Sequence, residues 1–187
     1  MNLEKISQGV RYILEGIGED PDRPGLRDTP NRVATLYQEL FSGVGVSAAQ
    51  EVKFYTTHNL DEMIVLRRIP FHSMCEHHLL PFSGTVSIAY LPQNNRIVGF
   101  SNLVNIVEII ARRPQLQERM ASEIADLLME KLEPLGVIII IRAEHLCLAM
   151  QGLKKEGIQT VTSAMRGAMR KEATRLEALH LLGESLQ

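Results

Sequence analysis

The feature that most restricts the fold of this chain is a nearly all-apolar stretch, GVIIIIRAEHLCLAM, at residues 136–150. Its run of β-branched residues predicts a long strand of a buried sheet. The stretch is far too short and too interrupted to cross a bilayer as a helix. Three further segments have the composition of strands, at residues 62–71, 83–92 and 159–169. The sequence therefore predicts a sheet, and no membrane-spanning segment.

The segments between the second and third of the long strands have helical periodicity. Ser101 is the expected N-cap of one helix, and Pro114 the expected opening residue of the next. A closing helix is predicted over residues 171–182. Two strands, two helices and two strands in this order favour an α+β fold, an antiparallel sheet with two helices on one face.

The first 50 residues are predicted to be helical. The apolar residues of 3–17 form one helical stripe, and a second helix is predicted with Thr29 as its N-cap and Pro30 at its first position, ending near Gly43. We therefore expect an N-terminal helical extension over residues 1–50, followed by a catalytic domain over residues 51–187.

Composition narrows the class of partner and the compartment. The 187 residues suffice for a full core, and a formal net charge of −2 gives no net-basic face of the kind that nucleic-acid binding requires. The N-terminal segment has no apolar core of signal-peptide type, so a cytoplasmic protein is expected. In that reducing compartment, Cys75 and Cys147 are expected to be buried thiols or metal ligands rather than a disulfide.

The stretch SMCEHHLLPF, residues 73–82, raises the question of a metal site. Cys75 and His78 are three residues apart, so one tight turn could direct both at an ion. In a strand over residues 136–150, Cys147 would share a face with His145 and could supply a third ligand. A Cys, His, Cys set around Zn²⁺ leaves the fourth position to water. Spacing alone leaves open the alternative that the cysteines are buried thiols and the histidines loop residues, although His77 and His145 add groups suited to proton transfer.

Several segments, taken together and in order, resemble GTP cyclohydrolase I: SMCEHHLLPFSG, IAYLP, VGFSNL, RRPQLQERM, AEHLCLAM and TVTSAMRG. The resemblance implies a T-fold, in which subunits join their antiparallel sheets into a barrel. It also implies a homo-oligomer, a decamer of two pentameric rings with active sites at subunit interfaces. The implied reaction adds water at C8 of guanine, opens the imidazole ring and releases formate. Rearrangement of the ribose and reclosure then give 7,8-dihydroneopterin triphosphate, the entry to tetrahydrofolate and other pterins.

The same resemblance assigns roles to individual residues. It implies Zn²⁺ as the cofactor and makes His77 the proton donor to the imidazole ring nitrogen, with His145 as the second catalytic histidine. Glu118 matches the carboxylate that binds guanine, Gln117 lies beside it, and Ser101 matches a serine near the ribose and phosphates. The metal ligands implied are Cys75, His78 and Cys147.

The sequence departs from the family pattern where the family directs cations at the triphosphate. Asn102 stands where Lys is usual, Asn105 and Gln151 stand where Arg is usual, and Arg32 keeps its match. Each charge-assisted hydrogen bond contributes about 1.5–3 kcal/mol, so losing three would weaken triphosphate binding by roughly 4–9 kcal/mol. Backbone N–H groups of the helix at Ser101 could compensate in part.

Three hypotheses about activity follow from this departure. The first is GTP cyclohydrolase I activity. The second is the same ring opening on a guanine compound that lacks the triphosphate, such as GMP, a nucleoside or the free base. The third is a non-catalytic binding member of the fold, which the retained cysteines and histidines argue against.

Overall fold

The computed structural model describes residues 1–57, 62–151, 154–155 and 157–183. Short 3₁₀ turns lie at Ala48–Glu51 and Ala168–Arg170. The helices are α1 (Leu3–Gly16), α2 (Thr29–Leu40), α3 (Phe100–Ala111), α4 (Gln117–Lys131), α5 (Leu146–Met150) and α6 (Glu172–Leu182). The strands are β1 (Phe54–Thr56), β2 (Ile64–Cys75), β3 (Pro81–Leu91), β4 (Arg96–Val98), β5 (Pro114–Gln115), β6 (Gly136–His145) and β7 (Gln159–Gly167).

The main sheet has the strand order β5-β2-β3-β6-β7, while β1 and β4 form a separate two-stranded ribbon. All neighbours in the main sheet are antiparallel except β2 and β5, which pair in parallel over two residues. The α+β prediction is confirmed, as is the order of two long strands, two helices and two long strands. The short strands β1, β4 and β5 were not predicted, because two or three residues carry too little periodicity.

Strand β6 is apolar throughout because both of its faces are covered. Ile139 and Ile141 belong to the large core formed with α3 and α4, which lie together on one face of the sheet as predicted. Ile138 and Ile140 point the other way, into a smaller core that includes Ala178 of α6. Alternate residues of a strand face opposite sides, so a strand packed on both sides shows no polar alternation.

The predicted strand over residues 136–150 is too long. Strand β6 ends at His145, and Cys147 lies in the short helix α5. Leu, Ala and Met are strong helix formers, and LCLAM turns the chain away from the sheet once the β-branched run has ended. The expectation that His145 and Cys147 share one strand face is therefore wrong.

Three helix boundaries also differ from the prediction. Helix α2 is preceded by Asp28 as N-cap, so that Thr29 is its first residue. The N-cap of α3 is Gly99, in extended conformation, and Ser101 lies inside the first turn. Pro114 opens strand β5 instead of a helix, a position where the missing N–H of proline is tolerated, and α4 starts only at Gln117.

Helices α1 and α2 pack against each other. Leu14 of α1 is buried, while Ile13 and Ile17 of the predicted apolar stripe remain 63% and 70% exposed. The turn Ala48–Glu51 packs against α3. Within the described ranges, no helix is both long and apolar enough to pass through a membrane.

Candidate active site

The turn between β2 and β3 brings a thiol and an imidazole together. The backbone N–H groups of His78 and Leu79 donate to the carbonyl of Cys75, at 3.4 and 2.8 Å, and the N–H of Cys75 donates to the carbonyl of Leu80 at 2.9 Å. Leu79 takes the left-handed conformation, with φ of 52°. The turn is thereby closed on itself, and Nδ1 of His78 lies 3.8 Å from Sγ of Cys75.

Cys147 joins this pair from the first turn of α5. Its Sγ lies 4.0 Å from Sγ of Cys75, and the ligand atoms of Cys75, His78 and Cys147 all lie within 4.8 Å of one another. Both thiols are buried and the imidazole is exposed. The three residues predicted as ligands therefore form a group that could hold a metal ion, although Cys147 reaches it from a helix.

The electrostatics of the two thiols favour a cation between them. Burial raises the pKa of the Cys147 thiol, and the neighbouring Cys75 raises it further. Two thiolates so close together repel each other. A bound divalent cation offsets this repulsion, because it stabilises the deprotonated ligands. The geometry is compatible with tetrahedral zinc, because Zn–S bonds of about 2.3 Å imply a sulfur–sulfur distance of about 3.8 Å.

His145 is held at the end of β6 by an aromatic neighbour that sequence reasoning did not identify. Its ring stacks on Phe82 of β3, with the centroids 4.6 Å apart and the planes at 3°. The two residues are directly paired across the strands. Burial lowers the pKa of His145, and the charge of Glu118 opposes this shift. The site therefore favours a neutral imidazole.

The neighbouring residues Gln117 and Glu118 at the start of α4 point in different directions. Gln117 is 1% exposed, and its Oε1 lies 2.8 Å from Nε2 of His145. Glu118 is exposed and its carboxylate is therefore accessible to a ligand. Both were predicted as substrate-binding residues, but in this chain only Glu118 presents its side chain to solvent.

An ion pair joins the metal-binding turn to α4. Arg119 pairs with the carboxylate of Glu76, which lies between the predicted ligands Cys75 and His78. Nε of Arg119 also donates to Oε1 of Gln115 at 2.8 Å. The hydrogen bond from Arg119 is the main cause of a lowered pKa of Glu76. The quoted motifs contained both residues, but a contact across 43 positions has no sequence signature.

Asn102 and Asn105 form a cluster with Glu51, a residue that belongs to none of the recognised motifs. Both side-chain amides donate to the carboxylate of Glu51, at 3.3 and 3.1 Å. These hydrogen bonds, that of Asn105 first, lower the pKa of Glu51. The cluster therefore carries a negative charge at neutral pH.

The remaining predicted residues lie at the surface. His77 is exposed, with its ring centroid 6.1 Å from that of His78. Ser101 and Gln151 are also exposed, and Arg32 of α2 pairs with the N-cap residue Asp28 at 3.4 Å. Among the described residues, no hydrogen bond connects Ser101, Gln151 or Arg32 to the Cys-His-Cys group.

The chain is similar to known proteins over nearly its whole length. A family model described as GTP cyclohydrolase I matches residues 6–183. A protein of Carboxydothermus hydrogenoformans named GTP cyclohydrolase 1 is 52% identical over 184 residues, covering 98% of this chain and 96% of that protein. One of the same name from Thermoanaerobacter pseudethanolicus is 53% identical over 183 residues, covering 97% of each.

Proposed function

The chain belongs to the GTP cyclohydrolase I family, and on this premise we propose that it hydrolyses GTP to 7,8-dihydroneopterin triphosphate, opening the guanine imidazole ring and releasing formate. Its mixed helix and sheet architecture is consistent with the T-fold of that family and an N-terminal helix. The observation that carries the proposal is the convergence of Cys75, His78 and Cys147, whose ligand atoms lie within 4.8 Å of one another. The half-buried His145 precedes Cys147 by two positions.

We propose Zn²⁺ as the ion that the Cys-His-Cys group holds. Two sulfur ligands and one imidazole are a typical donor set for catalytic zinc, which keeps one position open. When bound there, zinc supplies a water molecule whose pKa is lowered to about 7, and so a hydroxide at neutral pH.

The residues of the chain then bind the guanine and transfer protons. The carboxylate of Glu118 can accept two neighbouring N–H groups of guanine, a geometry that smaller acceptors cannot match. His77 is assigned as the proton donor to the ring nitrogen, and its exposure leaves it accessible to a ligand. His145, kept neutral by burial, is assigned as the second proton-transfer group.

A second candidate function, ring opening of a less phosphorylated guanine compound, is favoured by the cluster of Asn102, Asn105 and Glu51. Amides stand at the positions of the family's usual cations, and the carboxylate that they hold adds a negative charge. Such a cluster suits a sugar hydroxyl better than a phosphate, because a carboxylate repels an anion. Gln151 also replaces a cation of the family pattern. Arg32 is then the one cation that remains of the four positions considered.

We also propose a homo-oligomer, the decamer of two pentamers typical of the family, in the cytoplasm. Strand β7 pairs only with β6 among the described residues, so its outer edge is open to another subunit. The exposed Ile13 and Ile17 of α1 offer further apolar surface. A reducing compartment keeps Cys75 and Cys147 available as ligands. We propose that residues 1–50 form an N-terminal extension and that residues 51–187 form the catalytic domain.

The test is a substrate panel on zinc-loaded protein: GTP, GDP, GMP, guanosine and guanine, followed by ultraviolet absorbance and formate release. His145→Ala, which leaves the three ligands intact, is the matched control for contaminating activity. Fastest turnover of GTP supports the first function, and preference for a compound with fewer phosphates supports the second. Bound zinc without formate release from any compound would refute both and favour a non-catalytic protein.

A further inference from the structure

We infer that Gln117 is a positioning residue for His145: its amide oxygen accepts a hydrogen bond from Nε2, so that Nε2 carries a proton and Nδ1 is the ring nitrogen left for a ligand. This inference rests on the proposed function, because it concerns the second proton-transfer group of that reaction. It assigns Gln117 a role other than substrate contact.

The orientation of the Gln117 amide is determined by its neighbours. Its Nε2 lies 3.0 Å from the carbonyl oxygen of Ile141 and 3.1 Å from that of Thr160, with Oγ1 of Thr162 at 3.2 Å. Backbone carbonyls can only accept hydrogen bonds. A flipped amide would place its own oxygen against two carbonyl oxygens, and this repulsion excludes the flip. The NH₂ group therefore faces strands β6 and β7, and Oε1 faces His145.

The orientation of the Gln117 amide determines which nitrogen of the His145 imidazole is the donor. Oε1 of Gln117 is 2.8 Å from Nε2 of His145, and an amide oxygen can only accept. Nε2 of His145 must therefore be the donor. This hydrogen bond occupies Nε2 and leaves Nδ1 as the other ring nitrogen. The stacked ring of Phe82 holds the plane of the imidazole while Gln117 determines which nitrogen is protonated.

The hydrogen bonds of Gln117 also limit its access to a substrate. Its side chain is 1% exposed, and its NH₂ group already faces three acceptors. A substrate could reach this amide only by breaking bonds to two strands. The adjacent Glu118 is exposed, so the first turn of α4 separates the two tasks: one side chain faces the ligand and the other orients a residue that does.

Two substitutions separate positioning from substrate contact. Gln117→Met keeps the length of the side chain and removes both the donor and the acceptor. Gln117→Glu, buried between carbonyl groups, would be held protonated, so its O–H can donate to a carbonyl while its C=O accepts from His145. We expect Gln117→Met to lower kcat roughly 10- to 100-fold with unchanged KM and zinc content, and Gln117→Glu to restore most of the loss. A raised KM with unchanged kcat would instead indicate substrate contact and overturn the inference.

A direct measurement does not depend on turnover. Solid-state ¹⁵N NMR of wild-type protein with labelled histidine, compared with His145→Ala, identifies the two ring nitrogens of His145. We expect a protonated Nε2, and the reverse pattern, an unprotonated Nε2, would refute the inference even if Gln117→Met fails to fold. If no guanine compound is opened while a protonated Nε2 is found, the proposed function fails and the assignment of the Nε2 proton stands. If GTP is opened while the pattern is reversed, the inference alone fails.

Discussion

Phe82 offers a way to test whether the site depends on the stacking of His145 rather than on general core packing. Its ring stacks on His145 on one side and meets the ring of Phe71 edge-on, with the centroids 5.7 Å apart. Phe71 and Phe82 are each 1% exposed. The substitution Phe82→Leu removes both aromatic pairs, whereas Phe71→Leu removes only the pair between the two phenylalanines. The second variant is therefore a matched control.

The expected losses of stability follow from these contacts. A Phe-to-Leu exchange in a core costs about 1 kcal/mol, and each aromatic pair contributes about 0.5–1.5 kcal/mol beyond burial. We expect the free energy of unfolding to fall by about 2 kcal/mol in Phe71→Leu and by about 3 kcal/mol in Phe82→Leu. For a chain of this length each kcal/mol lowers the melting temperature by about 2–4 °C, so thermal unfolding resolves both variants from the wild type.

Turnover should distinguish the two variants more sharply than stability does. Freed from its stacking partner, His145 can tilt away from its working orientation, and small misplacements of a reacting group reduce rates by an order of magnitude or more. We expect kcat for formate release to fall about tenfold in Phe82→Leu and to stay within about twofold of wild type in Phe71→Leu. Equal losses of kcat in both variants would show that core packing, and not the ring stack, supports the site.

Further predictions concern the metal, the guanine and the phosphates. Cys147→Ala should lose zinc and all activity, whereas His145→Ala should keep zinc, as metal analysis of the purified proteins can check; full zinc retention in Cys147→Ala would contradict the ligand assignment. Glu118→Gln should lower kcat/KM by about 10²-fold through KM, because the loss of a carboxylate removes about 1.5–3 kcal/mol per charge-assisted hydrogen bond; an unchanged KM would place guanine elsewhere. Glu51→Gln should lower the KM for GTP several-fold and leave that for guanosine unchanged, and equal effects on both compounds would argue against a phosphate near this cluster. Removal of the metal by a chelator should lower the melting temperature, since an ion that binds only the folded state stabilises it; an unchanged melting temperature would contradict a tightly bound ion.

The sequence predicted the fold class for physical reasons, and the three residues that it proposed as metal ligands lie close together in the structure. The long strand β6 is predicted by its run of β-branched residues, the amphipathic helices are predicted by their periodicity, and the three-residue spacing of Cys75 and His78 suits one turn. The prediction went wrong at Cys147, because an apolar run conceals the point where a strand becomes a helix. The contact of Gln117 with His145 joins residues 28 positions apart and depends on how α4 docks on the sheet. Only the folded chain reveals that one of two adjacent polar residues points inward.

The ion pair of Glu76 and Arg119 has a thermodynamic consequence. It joins the turn that carries Cys75 and His78, two of the proposed metal ligands, to the helix turn that carries Glu118, the proposed guanine ligand. A ligand that shifted either segment would therefore act on the other. Such linkage is reciprocal: whatever factor the ion adds to the affinity for guanine, guanine adds to the affinity for the ion. Since both side chains are about one-third or more exposed, solvent screens the ion pair and keeps this coupling weak.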